Sequence, residues 1–125
     1  MPDKKQKVLL VEDEQMIVDM YKLRLEEEGF EVFNTDKGSA ALEYVEKEKP
    51  AIILLDVILP EVDGFSILQT LKENTKTKDI PVLMLTNLGQ ESDQQKGDDL
   101  GAAGYFVKAN HTPVEVIQKV KELIS

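Results

Sequence analysis

Five residues could do chemistry together. Glu12 and Asp13 follow directly on a short apolar run, KVLLV at residues 7–11. Asp56 ends a second run, AIILL at residues 51–55. Thr86 closes PVLMLT at residues 81–86, and Lys108 follows YFV at residues 105–107. An acidic pair ahead of a helix can simply favour the helix dipole, and a polar residue after a strand can simply be a loop. The five taken together read differently. Two carboxylates about 5 Å apart repel by roughly 3 kcal/mol at an effective dielectric of 20. Three of them need a counter-ion or they take up protons. Lys108 supplies one positive charge, and a divalent cation would supply the rest. The ligands are hard oxygens with no His or Cys among them, which suits Mg²⁺ or Mn²⁺ rather than zinc. A site of that kind supports phosphoryl transfer, where positioning and charge neutralisation are most of the work. Asp56 would be the nucleophile and form an acyl phosphate.

The elements that must position these residues alternate strictly. Strands are predicted at 7–11, 30–35, 51–55, 81–86 and 105–107. Helices are predicted at 14–28, 39–48, 64–73, 90–100 and from Thr112 onward, with Thr112 as cap and Pro113 in the first turn. The inward faces read as Ile17, Met20, Tyr21 and Leu25, then Leu42 and Val45, then Phe65, Leu68 and Leu71, then Ile117, Val120 and Ile124. Gly29 ends the first helix. The fourth helix is weak, with Gly97 inside it and almost no apolar residues. Continuous apolar strands between amphipathic helices imply an α/β fold, a doubly wound parallel sheet covered on both faces. Right-handed crossovers then gather the strand ends, and all five polar residues, at one crevice. Leu59-Pro60 and Asp63-Gly64 turn the chain sharply away after Asp56. That is ordinary turn chemistry, and it also leaves the Asp56 carboxylate open.

Composition excludes several classes. A chain of 125 residues makes one domain, here 1–125, and 42% hydrophobic residues can fill one core. The formal net charge of −9 argues against direct binding to nucleic acid or to an anionic membrane. The apolar segment near the N-terminus is too short for a signal peptide, and no run is long enough to span a bilayer. The absence of cysteine excludes disulfides. A cytoplasmic location is expected.

VEDE at 11–14, LLDVILPEVDG at 54–64, PVLMLT at 81–86 and GAAGYFVKA at 101–109 together resemble the receiver domain of two-component response regulators. The likeness covers essentially the whole chain. It implies a flavodoxin-like (βα)5 fold with five parallel strands in the order 2-1-3-4-5. It implies that Asp56 accepts a phosphoryl group from a sensor histidine kinase or a histidine phosphotransfer protein. Asp13, Asp56 and the backbone carbonyl of Ile58 would ligate Mg²⁺, with Glu12 acting through a water. Lys108 would pair with the phosphoryl oxygens, Thr86 would move to bond one of them, and Tyr105 would turn inward. The surface of the fourth helix, fifth strand and fifth helix would then change shape for a downstream protein, or for dimerisation on activation. Such a domain is a phosphoacceptor switch, not a turnover enzyme.

The sequence departs from the family at Glu12, commonly Asp, at Ala109, commonly Pro, and at Asn87, commonly a small residue. Ile58 and Leu88 occupy positions that tune the lifetime of the acyl phosphate, and neither can orient a water, so slow self-dephosphorylation is expected. His111 reads as an exposed polar residue, and Met16, Met20 and Met84 as core filler. A haloacid-dehalogenase-like phosphatase would need a carboxylate at position 58, where this chain has Ile58. A flavin carrier would need a phosphate loop where this chain has VEDEQM. The alternative that survives is a receiver-like interaction scaffold that works without phosphate.

Overall fold

The computed structural model describes residues 5–124. The strands are β1 (Lys7–Val11), β2 (Glu31–Thr35), β3 (Ile52–Leu55), β4 (Val82–Thr86) and β5 (Gly104–Val107). The helices are α1 (Gln15–Glu27), α2 (Gly38–Glu48), α3 (Gly64–Glu73), α4 (Glu91–Asp99) and α5 (Pro113–Ile124). All sheet pairs are parallel, and the order is β2-β1-β3-β4-β5. Both the fold class and the strand order expected above are therefore present.

The interior strands alternate between two cores, as the two-residue period of a strand requires. Val8, Leu10, Ile52, Leu54, Leu83 and Leu85 pack with Val18, Tyr21 and Leu25 of α1 and with Val116, Ile117 and Val120 of α5. Leu9, Val11, Ile53, Leu55, Val82 and Met84 pack on the other face with Ala41 and Val45 of α2 and with Phe65, Ile67, Leu68 and Leu71 of α3. β2 and β5 form the edges and are only partly buried.

Several details differ from the sequence reading. The centre of the α1 face is Val18, with Tyr21 and Leu25, while Ile17 and Met20 lie at its flanks. Met16 is 85% exposed, so it is not core filler. It sits in the first turn of α1, before the helix meets the sheet. Met84 is fully buried, as expected. His111 is half-buried rather than exposed. Its ring meets Phe106 edge-on at 5.1 Å, and its Nδ1 lies 3.1 Å from the Val107 carbonyl.

Helix ends follow from local chemistry. Gly29, at φ +94°, closes α1: Phe30 N–H donates to Leu25 O at 3.1 Å and Gly29 N–H to Glu26 O at 3.0 Å, with Leu25 and Phe30 both buried. Asp63 caps α3 by accepting from Phe65 N–H at 2.9 Å. Thr112 and Glu115 form a reciprocal cap at the start of α5. The Thr112 hydroxyl accepts from Glu115 N–H at 3.3 Å, and the Glu115 carboxylate accepts from Thr112 N–H at 3.0 Å.

Candidate functional site

Asp56 stands one residue beyond β3, at the centre of the sheet, and is only 4% exposed. A stiff buried strand fixes where its carboxylate begins, and the next eight residues fix what surrounds it. Asp56 Oδ1 accepts from Ile58 N–H at 3.1 Å. Ile58 and Asp63 form an isolated antiparallel bridge, and Gly64 N–H donates to Val57 O at 2.9 Å. The loop thus folds back on its own start. Gly64 permits this, because a Cβ there would lie 2.1 Å from the Asp56 carbonyl oxygen and 2.7 Å from Val57 Cα.

The Lys108 ammonium reaches across from the end of β5. It lies 2.9 Å from Asp56 Oδ2, 2.5 Å from Glu12 Oε1 and 3.5 Å from Glu14 Oε1. Glu12 is 2% exposed, and its other oxygen accepts from the N–H groups of Asp13 and Glu14, each at 3.1 Å. Burial raises the Glu12 carboxyl above its ordinary range, and Lys108 and the backbone donors pull the other way. For Lys108, burial works against the charge, but the Glu12 and Asp56 carboxylates outweigh it and its pKa is raised. The ammonium is thus locked in its charged form by its neighbours.

Ligand oxygens of Glu12, Asp13 and Asp56 lie within 4.8 Å of one another. Glu12 Oε1 is buried and has no hydrogen bond; the Lys108 ammonium is near it but not in hydrogen-bond geometry. Three carboxylates lie on the one ammonium and Asp13 adds a fourth beside Glu12 and Asp56, so the cluster holds more negative charge than the protein neutralises. These are hard oxygen donors with spare charge, and they can hold a divalent cation.

A small cavity of about 120 Å³ opens beside Asp56, lined by Asp13, Glu14, Asp56, Ile58, Asn87 and Lys108. A larger recess, about 340 Å³, lies between α2 and α3, but Glu61 is the one titratable residue in its lining.

Of the residues nominated from sequence, Glu12, Asp13, Asp56, Ile58 and Lys108 meet at this crevice. Thr86 is fully buried at the end of β4 but does not line the cavity. Its hydroxyl accepts from Leu88 N–H at 3.3 Å. The Tyr105 hydroxyl donates to Leu88 O at 2.6 Å, so one residue of the β4–α4 loop is gripped at both backbone groups. The Tyr105 ring lies against Gly97 of α4, where a Cβ would come within 3.0 Å of it. Burial first, then Asp93 and Asp56, push its phenol up to about 12. Asn87 stands in the cavity wall. The Lys108–Ala109 peptide bond is trans.

Sequence reasoning missed Glu14. The available signal was its type: it occupies the N-cap of α1, where Ser, Thr, Asp or Asn serves best, and its side chain makes no capping bond.

A profile of the response regulator receiver domain matches residues 8–121. Regulatory protein VanRc of Enterococcus gallinarum is 41% identical over 116 residues, covering 93% of this chain and 48% of that protein. Among solved structures, the chemotaxis protein CheY4 of Vibrio cholerae aligns with a TM-score of 0.87 at 29% identity, covering 96% of this chain and 99% of that one. The signal receiver domain of a signal transduction histidine kinase from Syntrophus aciditrophicus aligns at 0.86 and 29% identity, over 95% of this chain and 89% of that one. The chain spans about half the length of the curated relatives it matches. No helix among the described residues is long and apolar enough to cross a membrane. Sheet order, acidic crevice and sequence likeness agree: the chain belongs to the receiver domain family of two-component response regulators.

Proposed function

We propose that the chain is a phosphorylation-driven switch whose acceptor is Asp56. The observation that carries this is the 2.9 Å pairing of a buried Asp56 with Lys108 at the base of an open cavity. An Asp56 oxygen attacks the phosphorus of a phosphohistidine on a histidine kinase or phosphotransfer protein. The O–P bond forms as the P–N bond breaks, and the imidazole leaves. Asp13, Asp56 and the Ile58 carbonyl would hold Mg²⁺ or Mn²⁺, and Glu12 would act through a water. When bound, the cation supplies the positive charge that three crowded carboxylates and an incoming phosphoryl group require.

The protein's own residues do the rest. Lys108 is already charged and exchanges an Asp56 carboxylate oxygen for a phosphoryl oxygen. Thr86 gains an acceptor only in the phosphorylated state, and that differential contact is what shifts the balance between two states. If its hydroxyl turns to the phosphoryl group, Leu88 N–H loses its partner. The loop that holds Tyr105 is then loosened at one of its two grips. The surface of α4, β5 and α5 carries the change to a downstream protein, or to a second copy of the chain. Ile58 and Leu88 offer no polar group to orient water, so the acyl phosphate is long-lived for this family. The chain acts as a phosphoacceptor without enzymatic turnover, in the cytoplasm.

Intact mass after incubation with acetyl phosphate tests this. One added phosphoryl group, dependent on Mg²⁺ and lost in Asp56→Asn, is expected. No adduct with the wild-type protein would favour the phosphate-independent scaffold. A polar residue introduced at position 58 or 88 should shorten the adduct's lifetime.

A further inference from the structure

Glu14 is a residue the fold does not need in its present form. It is the N-cap of α1, yet it caps nothing, and a shorter polar side chain would serve the helix better. Its carboxylate instead lies 3.5 Å from Lys108, in the wall of the cavity beside Asp56. Its side chain is 58% exposed, whereas the other two carboxylates on Lys108 are buried. It is therefore the charge that an arriving phosphodonor meets first. Asp13 is also exposed there, but its oxygen belongs to the metal-competent cluster. Glu14 is outside that cluster, so a bound cation would not absorb its charge in the same way.

We infer that Glu14 is a specificity-determining residue that disfavours small, free anionic phosphodonors at this site. The inference rests on the reading of Asp56 as phosphoacceptor. In the reaction concerned, an Asp56 oxygen attacks the phosphorus of acetyl phosphate, the bond from phosphorus to the bridging oxygen breaks, and acetate leaves as an anion. Each approach of that dianion to Asp56 passes a fixed negative charge. A phosphohistidine is different: it is delivered by a protein whose own surface contacts can offset the repulsion. Long-range repulsion at an exposed group is screened by salt, which separates this role from a purely structural one.

The test measures initial rates of adduct formation by intact mass, at saturating Mg²⁺, for wild type, Glu14→Gln, Glu14→Asp and Glu43→Gln. Glu43 is exposed on α2, away from the cavity, so its variant removes the same net charge elsewhere. Glu14→Gln is expected to react roughly three- to tenfold faster with acetyl phosphate at low ionic strength. The gain should shrink with the singly charged donor phosphoramidate and largely vanish in about half-molar salt. Glu14→Asp and Glu43→Gln should stay near wild type. Glu14→Gln at or below the wild-type rate would overturn the inference, as would a gain indifferent to salt and donor charge, or an equal gain in Glu43→Gln. Wild-type protein that forms no adduct with either donor would instead overturn the phosphoacceptor reading on which it stands.

Discussion

α3 and α4 follow adjacent strands and pack on the same face of the sheet, yet they are held very differently. α3 buries Phe65, Ile67, Leu68 and Leu71 and starts on the Asp63 cap. α4 buries only Gly97, and its N-cap residue makes no side-chain bond. Its ties are few: Gly97 against the Tyr105 ring, the Lys96 ammonium 4.9 Å above the Phe65 ring, and a glycine-closed C-terminus at Gly101. The difference teaches where the molecule places rigidity. The β3–α3 side, which carries Asp56, is fastened by a large apolar surface. The β4–α4 loop is fastened more lightly, by one hydrogen bond at each backbone group of Leu88 and by partial burial of the Leu88 side chain. Segments with little apolar burial open at low free energy, and a switch must draw its moving part from them.

The contrast can be broken most severely at Gly64. Gly64→Ala forces a Cβ into the Asp56 and Val57 backbone, and should cost about 3 kcal/mol or more of unfolding free energy. Urea denaturation would show it, and a loss below about 1 kcal/mol would mean that the loop is not tightly closed. Leu68→Ala, in the centre of the α3 face, should cost about 2–5 kcal/mol by the same measurement. Its counterpart on α4, Gly97→Ala, should change stability by no more than about 1 kcal/mol, because the gain in helix propensity opposes the contact with the Tyr105 ring. The Tyr105 ring proton shifts should move, however. Unchanged shifts would show that the ring does not rest on α4.

Tyr105→Phe sharpens the comparison with the smallest effect. Loss of the hydroxyl that holds Leu88 O should cost about 1 kcal/mol. The same variant has a pH signature. The phenol ordinarily titrates at 10.0 and is raised to about 12 in the folded protein, by burial first and then by Asp93 and Asp56. Below pH 10 it is neutral in both states and contributes no dependence. Between about 10 and 12 the unfolded chain ionises first, so stability falls as pH rises. Tyr105→Phe should flatten that fall, and an identical alkaline profile would place the ring in solvent.

Much of this was legible in the residues. The apolar runs and glycine stops located all ten elements to within a residue or two, because a continuous apolar strand and a 3.6-residue stripe differ strongly in pattern. The crevice was legible because parallel topology forces strand ends together, which placed Glu12, Asp13, Asp56 and Lys108 before any distance was known. The rest depended on rotation and on loops. Val18 rather than Ile17 faces the sheet centre, a turn of one residue that periodicity alone does not resolve. His111 folds from the β5–α5 loop back onto Phe106 of β5, a contact set by the path of that loop. The double grip on Leu88 joins a backbone to two side chains far apart in sequence, and no spacing encodes that.

The alternation of the interior strands has a last consequence. Ile52 and Leu54 serve one core, while Ile53 and Leu55 serve the other. Adding or removing one residue in β3 or β4 would exchange those two sets and aim Asp56 or Thr86 at the opposite side of the sheet. Point substitutions can be absorbed at many places here; changes of length cannot. A change of length can be taken up only in the exposed connections between elements, where the backbone carries no ladder register.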